Sequence, residues 1–167
     1  KTENMKFGEA VKTLAVEAGL PIYRFTKLDE EREKKWQAYF KILELYKLHY
    51  HNELKNKKIK EVEIYLHKRG LSEKEIDNFK IGYVSKDCHF FDKLKDNFSE
   101  TDIISSGLFY FDEKNKKYIE RFRDRLIFPI NSLTGPTIAF GGRIISNQKF
   151  AKYINSPETS FFKKGNS

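Results

Sequence analysis

Apolar side chains recur at three- and four-residue steps through Phe7, Ala10, Val11, Leu14 and Ala18, the spacing of one helix face, and Gly19 and Pro21 end the pattern. An extended linker is expected over 21–28. From 29 to about 55 the charges are interrupted by Trp36, Tyr39, Phe40, Leu43, Tyr46 and Tyr50, which predicts one long amphipathic helix. Its aromatic stripe either faces a core or offers rings for stacking bases, and packing is the commoner use. His49 and His51 fall on different faces of that helix and make a poor pair of metal ligands.

Positions 55–60 are a lysine cluster with little apolar content, expected to be a solvated connection. A short helix follows, with Ile59, Val62, Tyr65 and Leu66 inward, and Arg69-Gly70 ends it with glycine in the left-handed position of a C-terminal cap. Ser72 and Glu75 have the spacing of a capping box for another helix over 73 to about 79. The pair has the shape of a helix-turn-helix, but its second helix offers only Lys74 and Asn78 to bases.

Positions 81–84 are expected to be extended and 90–97 helical. Ser99 and Asp102 repeat the capping pattern, and Gly107 ends what they start. Beyond Gly107 the apolar period shortens to that of strands. Positions 108–111 and 118–119 flank a polar 112–117, and 126–130 and 137–140 flank 131–136, which predicts two hairpins. The fold class expected is α+β, a helical N-terminal half packed beside a small antiparallel β-sheet. Residues 1–107 form its mainly helical part and 108–167 its basic, β-rich part, with a basic groove on the open side of the sheet.

At 167 residues and 39% apolar, the chain can bury a core. Its 32 Lys and Arg exceed its 24 Asp and Glu, a balance that favours nucleic acid, phosphorylated ligands or anionic membranes as partners. Positions 101–167 hold 11 of the basic and only 6 of the acidic residues, so the shorter part carries most of the excess. The single cysteine, Cys88, excludes an internal disulfide and any zinc site needing two thiolates from this one chain, which suits a reducing cytoplasm; a lone thiol here is expected to be inert. No apolar run approaches the roughly 20 residues of a membrane span. Opening without Met and stopping just after Lys164-Gly165, the chain is expected to be a piece of a longer protein.

The candidate chemistry concentrates in 121–164. Arg121, Arg123 and Arg125 share one face if that segment is extended, either for a polyanion or as solvated and salt-bridged arginines. Gly141 and Gly142 are expected to let the backbone approach a ligand, and Arg143, Lys152 and Lys164 supply charge. The alternative is an ordinary sheet with a charged outer face. Two-metal catalysis needs carboxylates clustered around ions roughly 4 Å apart. The basic part, 101–167, has Asp102, Asp112, Glu113, Glu120, Asp124 and Glu158, with no Asp-x-Asp pair. A Walker-type loop, a Ser-His-Asp spacing and an HExxH helix are also missing from the sequence. The chain is expected to bind rather than react, with no catalytic or metal residue of its own.

Several blocks in order carry a resemblance. They are Tyr65-Leu66-His67-Lys68-Arg69-Gly70-Leu71, Phe79-Lys80-Ile81-Gly82-Tyr83, and Arg121-Phe122-Arg123-Asp124-Arg125 running into Phe128-Pro129-Ile130. Then come Ile138-Ala139-Phe140-Gly141-Gly142-Arg143, Lys152-Tyr153-Ile154-Asn155-Ser156-Pro157-Glu158-Thr159 and Phe162-Lys163-Lys164-Gly165. Together, over 65–165, they resemble the bacterial DnaG-type DNA primases, and within them the N-terminal subdomain of the RNA polymerase (catalytic core) domain. Two departures are local: 131–136 lacks the usual charges and places Pro136 after Gly135, and Ala139 stands where glycine is frequent.

The resemblance implies an enzyme that synthesises short RNA primers on single-stranded DNA during replication. It also implies a zinc ribbon holding Zn2+ before this region, and a TOPRIM subdomain with catalytic carboxylates and Mg2+ beginning just beyond Ser167. This part then lacks the metal-binding carboxylates and is expected to be inactive alone. The implied partners are single-stranded DNA template, ribonucleoside triphosphates, an RNA–DNA hybrid, and the replicative helicase through a C-terminal module. The implied place is the cytoplasm, at the nucleoid and replisome, with no membrane. Arg69, Arg143, Lys152, Tyr153, Asn155 and Lys164 match motif positions that line the groove beside the metals, and Arg121 and Arg123 match the same motif set. Arg143 and Lys152 are foremost for phosphate, Tyr153 contributes hydrogen bonds or stacking, and Asn155 does so or is a turn residue. Glu158 caps or pairs with an arginine rather than acting as a base. The alternative function is a stand-alone single-stranded nucleic-acid-binding or replisome adaptor module without catalytic activity.

Overall fold

The aromatic stripe is carried by helix α1 (Lys27–Lys57) of a computed structural model that describes residues 27–146 and 150–163. The predicted helix over 7–18 and Lys164 lie outside the described residues. Lys27 and Leu28, expected in a linker, belong to α1, because no Pro or Gly separates them from the helix-favouring residues that follow. The chain divides into the units Lys1–Ala38 and Tyr39–Ser167, and all that follows concerns the second.

Within that unit, α1 turns Tyr39, Ile42, Leu43, Tyr46 and Tyr50 inward, so the stripe is core rather than a stacking surface. The Tyr46 ring sits among Tyr50, Phe90 and Phe140, with centroids 4.7, 5.7 and 5.3 Å away. The lysine cluster proves more structured than expected. Lys55 and Lys57 close α1, and Lys55 Nζ reaches Glu73 at 2.8 Å and Asp77 at 2.9 Å. Only Lys58 and Ile59 link α1 to α2 (Lys60–Lys68). Gly70 takes φ of +70° after α2, as the sequence requires. The capping box of α3 (Glu73–Phe79) is reciprocal: Glu75 N donates to Ser72 Oγ at 3.2 Å and Ser72 N donates to Glu75 Oε1 at 3.1 Å.

Strand β1 (Gly82–Val84) precedes two short helices, α4 (Phe90–Lys95) and α5 (Glu100–Ser105), the second capped by Ser99 as expected. The two predicted hairpins form, β2 (Phe109–Asp112) with β3 (Lys117–Glu120), and β4 (Arg125–Asn131) with β5 (Thr137–Ile144). They belong to different sheets. β2 and β3 stand alone, whereas β4 and β5 lie between β1 and β6 (Tyr153–Asn155) in the antiparallel order β1-β4-β5-β6.

Helices cover both faces of the four-stranded sheet, in place of the open side expected. Val84, Ile127 and Phe140 pack with the inward residues of α1. On the other face Tyr83 and Leu126 pack with Val62 and Leu66 of α2 and Ile76 of α3. The alternation along each strand decides which side chain meets which layer. Among the described residues, no helix is long and apolar enough to cross a membrane.

Candidate nucleic-acid interface

Register places the site. Arg143 in β5 lies opposite Leu126 of β4 on one side and Tyr153 of β6 on the other, so it shares the sheet face that α2 covers. The last turn of α2 brings Tyr65 over it. Arg143 Nε donates to the Tyr65 hydroxyl at 3.2 Å, and Nη1 donates to the Ile144 carbonyl at 3.0 Å. The Arg143 guanidinium stands 5.3 Å from the Tyr65 ring centre and 5.0 Å from that of Tyr153. Arg69, just past α2, stands 5.3 Å from the same Tyr65 ring. Two cations thus share one aromatic ring, each such contact stabilising by about 0.5–1 kcal/mol at exposed sites. Burial pushes the Tyr65 phenol up, but the Arg143 hydrogen bond, with Tyr153 and Arg69 close by, draws it below its ordinary value.

Of the residues singled out from sequence, Arg69, Arg143 and Tyr153 therefore meet, and Tyr65 is what joins them. Tyr65 reads in the sequence as an inward helix position, so its role was hidden by a period that describes burial only. Tyr153 is 61% exposed, leaving the cluster accessible. Lys152 is exposed beside it, and its carbonyl accepts from Ile144 N at 2.9 Å and Arg125 Nη1 at 3.2 Å. Asn155 sits in β6 opposite Gly141, a strand position rather than a turn. Ser156, which the sequence reading passed over, is buried and accepts from Phe140 N at 3.0 Å, pinning β6 to β5. Glu158 is exposed and in no ion pair among the described residues.

Arg121 and Arg123 do not follow the strand alternation expected of them, and only Arg125 lies in a strand, as the first residue of β4. Residues 121–124 form a turn, closed by Asp124 in the left-handed region at φ of 61°. Arg121 is half-buried and donates from Nε to the Gly107 carbonyl at 3.1 Å. Arg123 is exposed. Arg125 is buried and donates to the carbonyls of Gly142 and Lys152 at 3.4 and 3.2 Å; burial lowers its pKa, partly offset by Asp124. All three nonetheless line one concavity of about 400 Å3, joined by Lys86. The glycine pair makes room for the chain itself and not for a ligand. A Cβ on Gly142 would fall 2.5 Å from Phe122 Cδ1, and one on Gly141 3.2 Å from Asn155 Oδ1.

Among the described residues, no carboxylate lies within ion-pair distance of Arg69, Arg121, Arg123, Arg143 or Lys152. No group of three or more His, Cys, Asp or Glu that could hold a metal ion occurs among them either. The arrangement is one of cations and rings, suited to a polyanion with planar bases.

Residues 49–167 match the family described as DNA primase catalytic core, N-terminal domain. Over 170 residues the chain is 36% identical to a DNA primase of Clostridium acetobutylicum, covering 99% of this chain and 27% of that protein. It is 33% identical to a DNA primase of Thermotoga maritima, covering 97% of this chain and 28% of the relative, so it spans little more than a quarter of their length. Among solved structures it is similar to a DnaG primase catalytic domain bound to ssDNA, with TM-score 0.69 and 31% identity over 79% of this chain and 41% of that one. It is also similar to the Aquifex aeolicus primase comprising zinc binding and RNA polymerase domains, with TM-score 0.68 and 28% identity over 98% of this chain and 38% of that one. The matched residues include every strand among the described residues and the whole Arg69, Tyr65, Arg143 and Tyr153 cluster, and the chain belongs to the DNA primase catalytic-core N-terminal domain family.

Proposed function

We propose that this chain is the part of a bacterial DNA primase that holds single-stranded template and incoming ribonucleoside triphosphates for carboxylates carried elsewhere in the protein. The observation that carries this reading is the cluster in which Arg143 and Arg69 share the Tyr65 ring without any carboxylate partner among the described residues. An arginine fixed by a ring and by hydrogen bonds from Nε and Nη1 keeps other N–H donors for a phosphate, and little rotamer freedom remains to be lost on binding. Lys152 adds a mobile point charge along a backbone, and exposed Tyr153 offers a face to a base. Arg121 and Arg123 extend the positive surface along the adjoining concavity, and Asn155 offers an amide.

The family implies Mg2+ and Zn2+ in the whole protein. The donor set of the described residues does not fit either ion, so no step is derived through a metal. An RNA–DNA hybrid, the replicative helicase and a cytoplasmic replisome belong to the same reading, on the strength of the family alone. Nothing observed favours the stand-alone adaptor.

The test uses the full-length protein. Arg143→Ala and Lys152→Ala are each expected to weaken binding of a single-stranded DNA about tenfold at low salt. Each should reduce the slope of log affinity against log salt by about 0.7, the value of one phosphate contact on a single strand. Primer synthesis is expected to fall in parallel. Unchanged slopes and unchanged synthesis in both variants would sink the assignment. Tyr65→Ala is expected to weaken binding nearly as much as Arg143→Ala although it removes no charge, because two guanidiniums lose their platform. Tyr65→Phe retains the ring and should lose only about two- to threefold, the share of one hydrogen bond.

A further inference from the structure

Strand β6 is three residues long and lies at the edge of its sheet, with the exposed Lys152 and Tyr153 at its near end. Exposed side chains fix no backbone, so hydrogen bonds must hold this segment. At the far end Ser156 N donates to the Phe140 carbonyl at 2.8 Å, and the Ser156 hydroxyl accepts from Phe140 N at 3.0 Å. At the near end the Lys152 carbonyl accepts from Ile144 N at 2.9 Å and from Arg125 Nη1 at 3.2 Å.

Arg125 reaches that carbonyl from two strands away. It opens β4 opposite Ile144, while Gly142 of β5 lies between β4 and β6, opposite both Ile127 and Ile154. The side chain crosses β5 over Gly142. A Cβ there would fall 3.1 Å from Arg125 Cδ, and Nη1 also donates to the Gly142 carbonyl at 3.4 Å. The absent side chain at 142 leaves the path by which one guanidinium ties three strands together. A long stem ending in a rigid, charged fork of donors suits this task, since charge strengthens each bond to a carbonyl. Arg125 is 6% exposed and has no carboxylate within ion-pair distance among the described residues, so its buried charge is committed to carbonyl oxygens. Its removal therefore leaves no paired carboxylate stranded.

We propose that Arg125 is a positioning residue for nucleic-acid binding: by holding the Lys152 carbonyl it fixes where Lys152 and Tyr153 meet the nucleic acid. The proposal rests on the nucleic-acid reading above and assigns Arg125 no contact with the nucleic acid itself.

Two measurements on the full-length protein test it. Without DNA, hydrogen exchange of the Ile144 amide, whose acceptor is the Lys152 carbonyl, is expected to quicken about tenfold in Arg125→Met, a change of similar volume. Unchanged exchange overturns the fastening. With a single-stranded DNA across a salt series, Arg125→Met is expected to weaken binding about fivefold in the parent. In a Lys152→Ala/Tyr153→Ala background the same change should cost less than about twofold, because the groups it positions are already gone. Arg125→Gln, whose amide stops short of Lys152, should give the same pattern and carries the test if Arg125→Met does not fold. An equal fold loss in both backgrounds overturns the proposal in favour of a general loss of structure. A further fall of about 0.7 in the salt slope of the double background overturns it in favour of direct phosphate contact. A parent protein with no salt dependence overturns the nucleic-acid reading, and with it the role assigned to Arg125, even where exchange shows the fastening.

Discussion

Phe122→Ala is expected to lower the stability of this domain by about 3–5 kcal/mol, the usual cost of removing a fully buried phenylalanine. The side chain has no exposed surface and lies in the turn between Arg121 and Arg123, its ring seated over Gly142 of β5 and 6.3 Å from the Phe140 ring. The seat has no spare room. A methyl on Gly142 would meet Phe122 Cδ1 at 2.5 Å and Arg125 Cδ at 3.1 Å, so Gly142→Ala alone is expected to cost about 1–3 kcal/mol by overpacking. Combined, the two changes should cost less than their sum, because the added methyl occupies part of the space that the ring vacates. Urea denaturation of the two single variants and the double variant checks this. Strict additivity would mean that the ring is not seated on Gly142. The consequence reaches the site, since the turn that Phe122 anchors presents Arg121 and Arg123.

That seat was not legible in the sequence, and the reason is physical. The local features were: the Ser72 and Glu75 box and the Gly70 cap depend on residues a few positions apart and formed where the spacing placed them, and both hairpins formed, with β5 running on to Ile144 past the expected 140. Alternating Arg121, Arg123 and Arg125 read as a strand because the period of two is a strand's. Asp124, tied to Val84 and Tyr83 of β1, instead bends the chain into the left-handed region. A pair of glycines read as space for a ligand, since a missing Cβ does not say what fills it. The sharing of two cations by Tyr65 joins α2 to β5 across 78 positions, and no local spacing encodes that. What the sequence did carry was the order of the family blocks, which placed Arg69, Arg143, Lys152 and Tyr153 in one set before any distance was known.

Raising the pH through 10 is expected to remove about 3 kcal/mol of stability per pH unit, through Tyr46 and Tyr50. Burial, and after it the nearby Glu120 carboxylate, pushes both phenols above their ordinary value of 10.0. Below that value both rings are neutral whether the chain is folded or not, and their contribution is fully present. Above it the unfolded chain releases protons that the folded one keeps, so unfolding gains about 1.4 kcal/mol per pH unit for each ring. Cys88 and Tyr83, also pushed up by burial, add to the loss in the same direction, the thiol from 9.0 upward. Tyr46→Phe isolates the effect. The Tyr46 hydroxyl lies in the field of Glu120 but has no hydrogen-bond partner among the described residues, so removing it leaves the bonds of Glu120 to Tyr50 and Phe90 in place. The variant is expected to be as stable as the parent near neutral pH, or about 1 kcal/mol more stable, and to show about half the tyrosine part of the alkaline slope. Denaturation midpoints at about pH 8 and about pH 11, compared for the two proteins, decide it. A flat profile in the parent would mean that water reaches these rings, and then Glu120, which they help to bury, would be free to turn toward Arg121 and weaken the basic concavity.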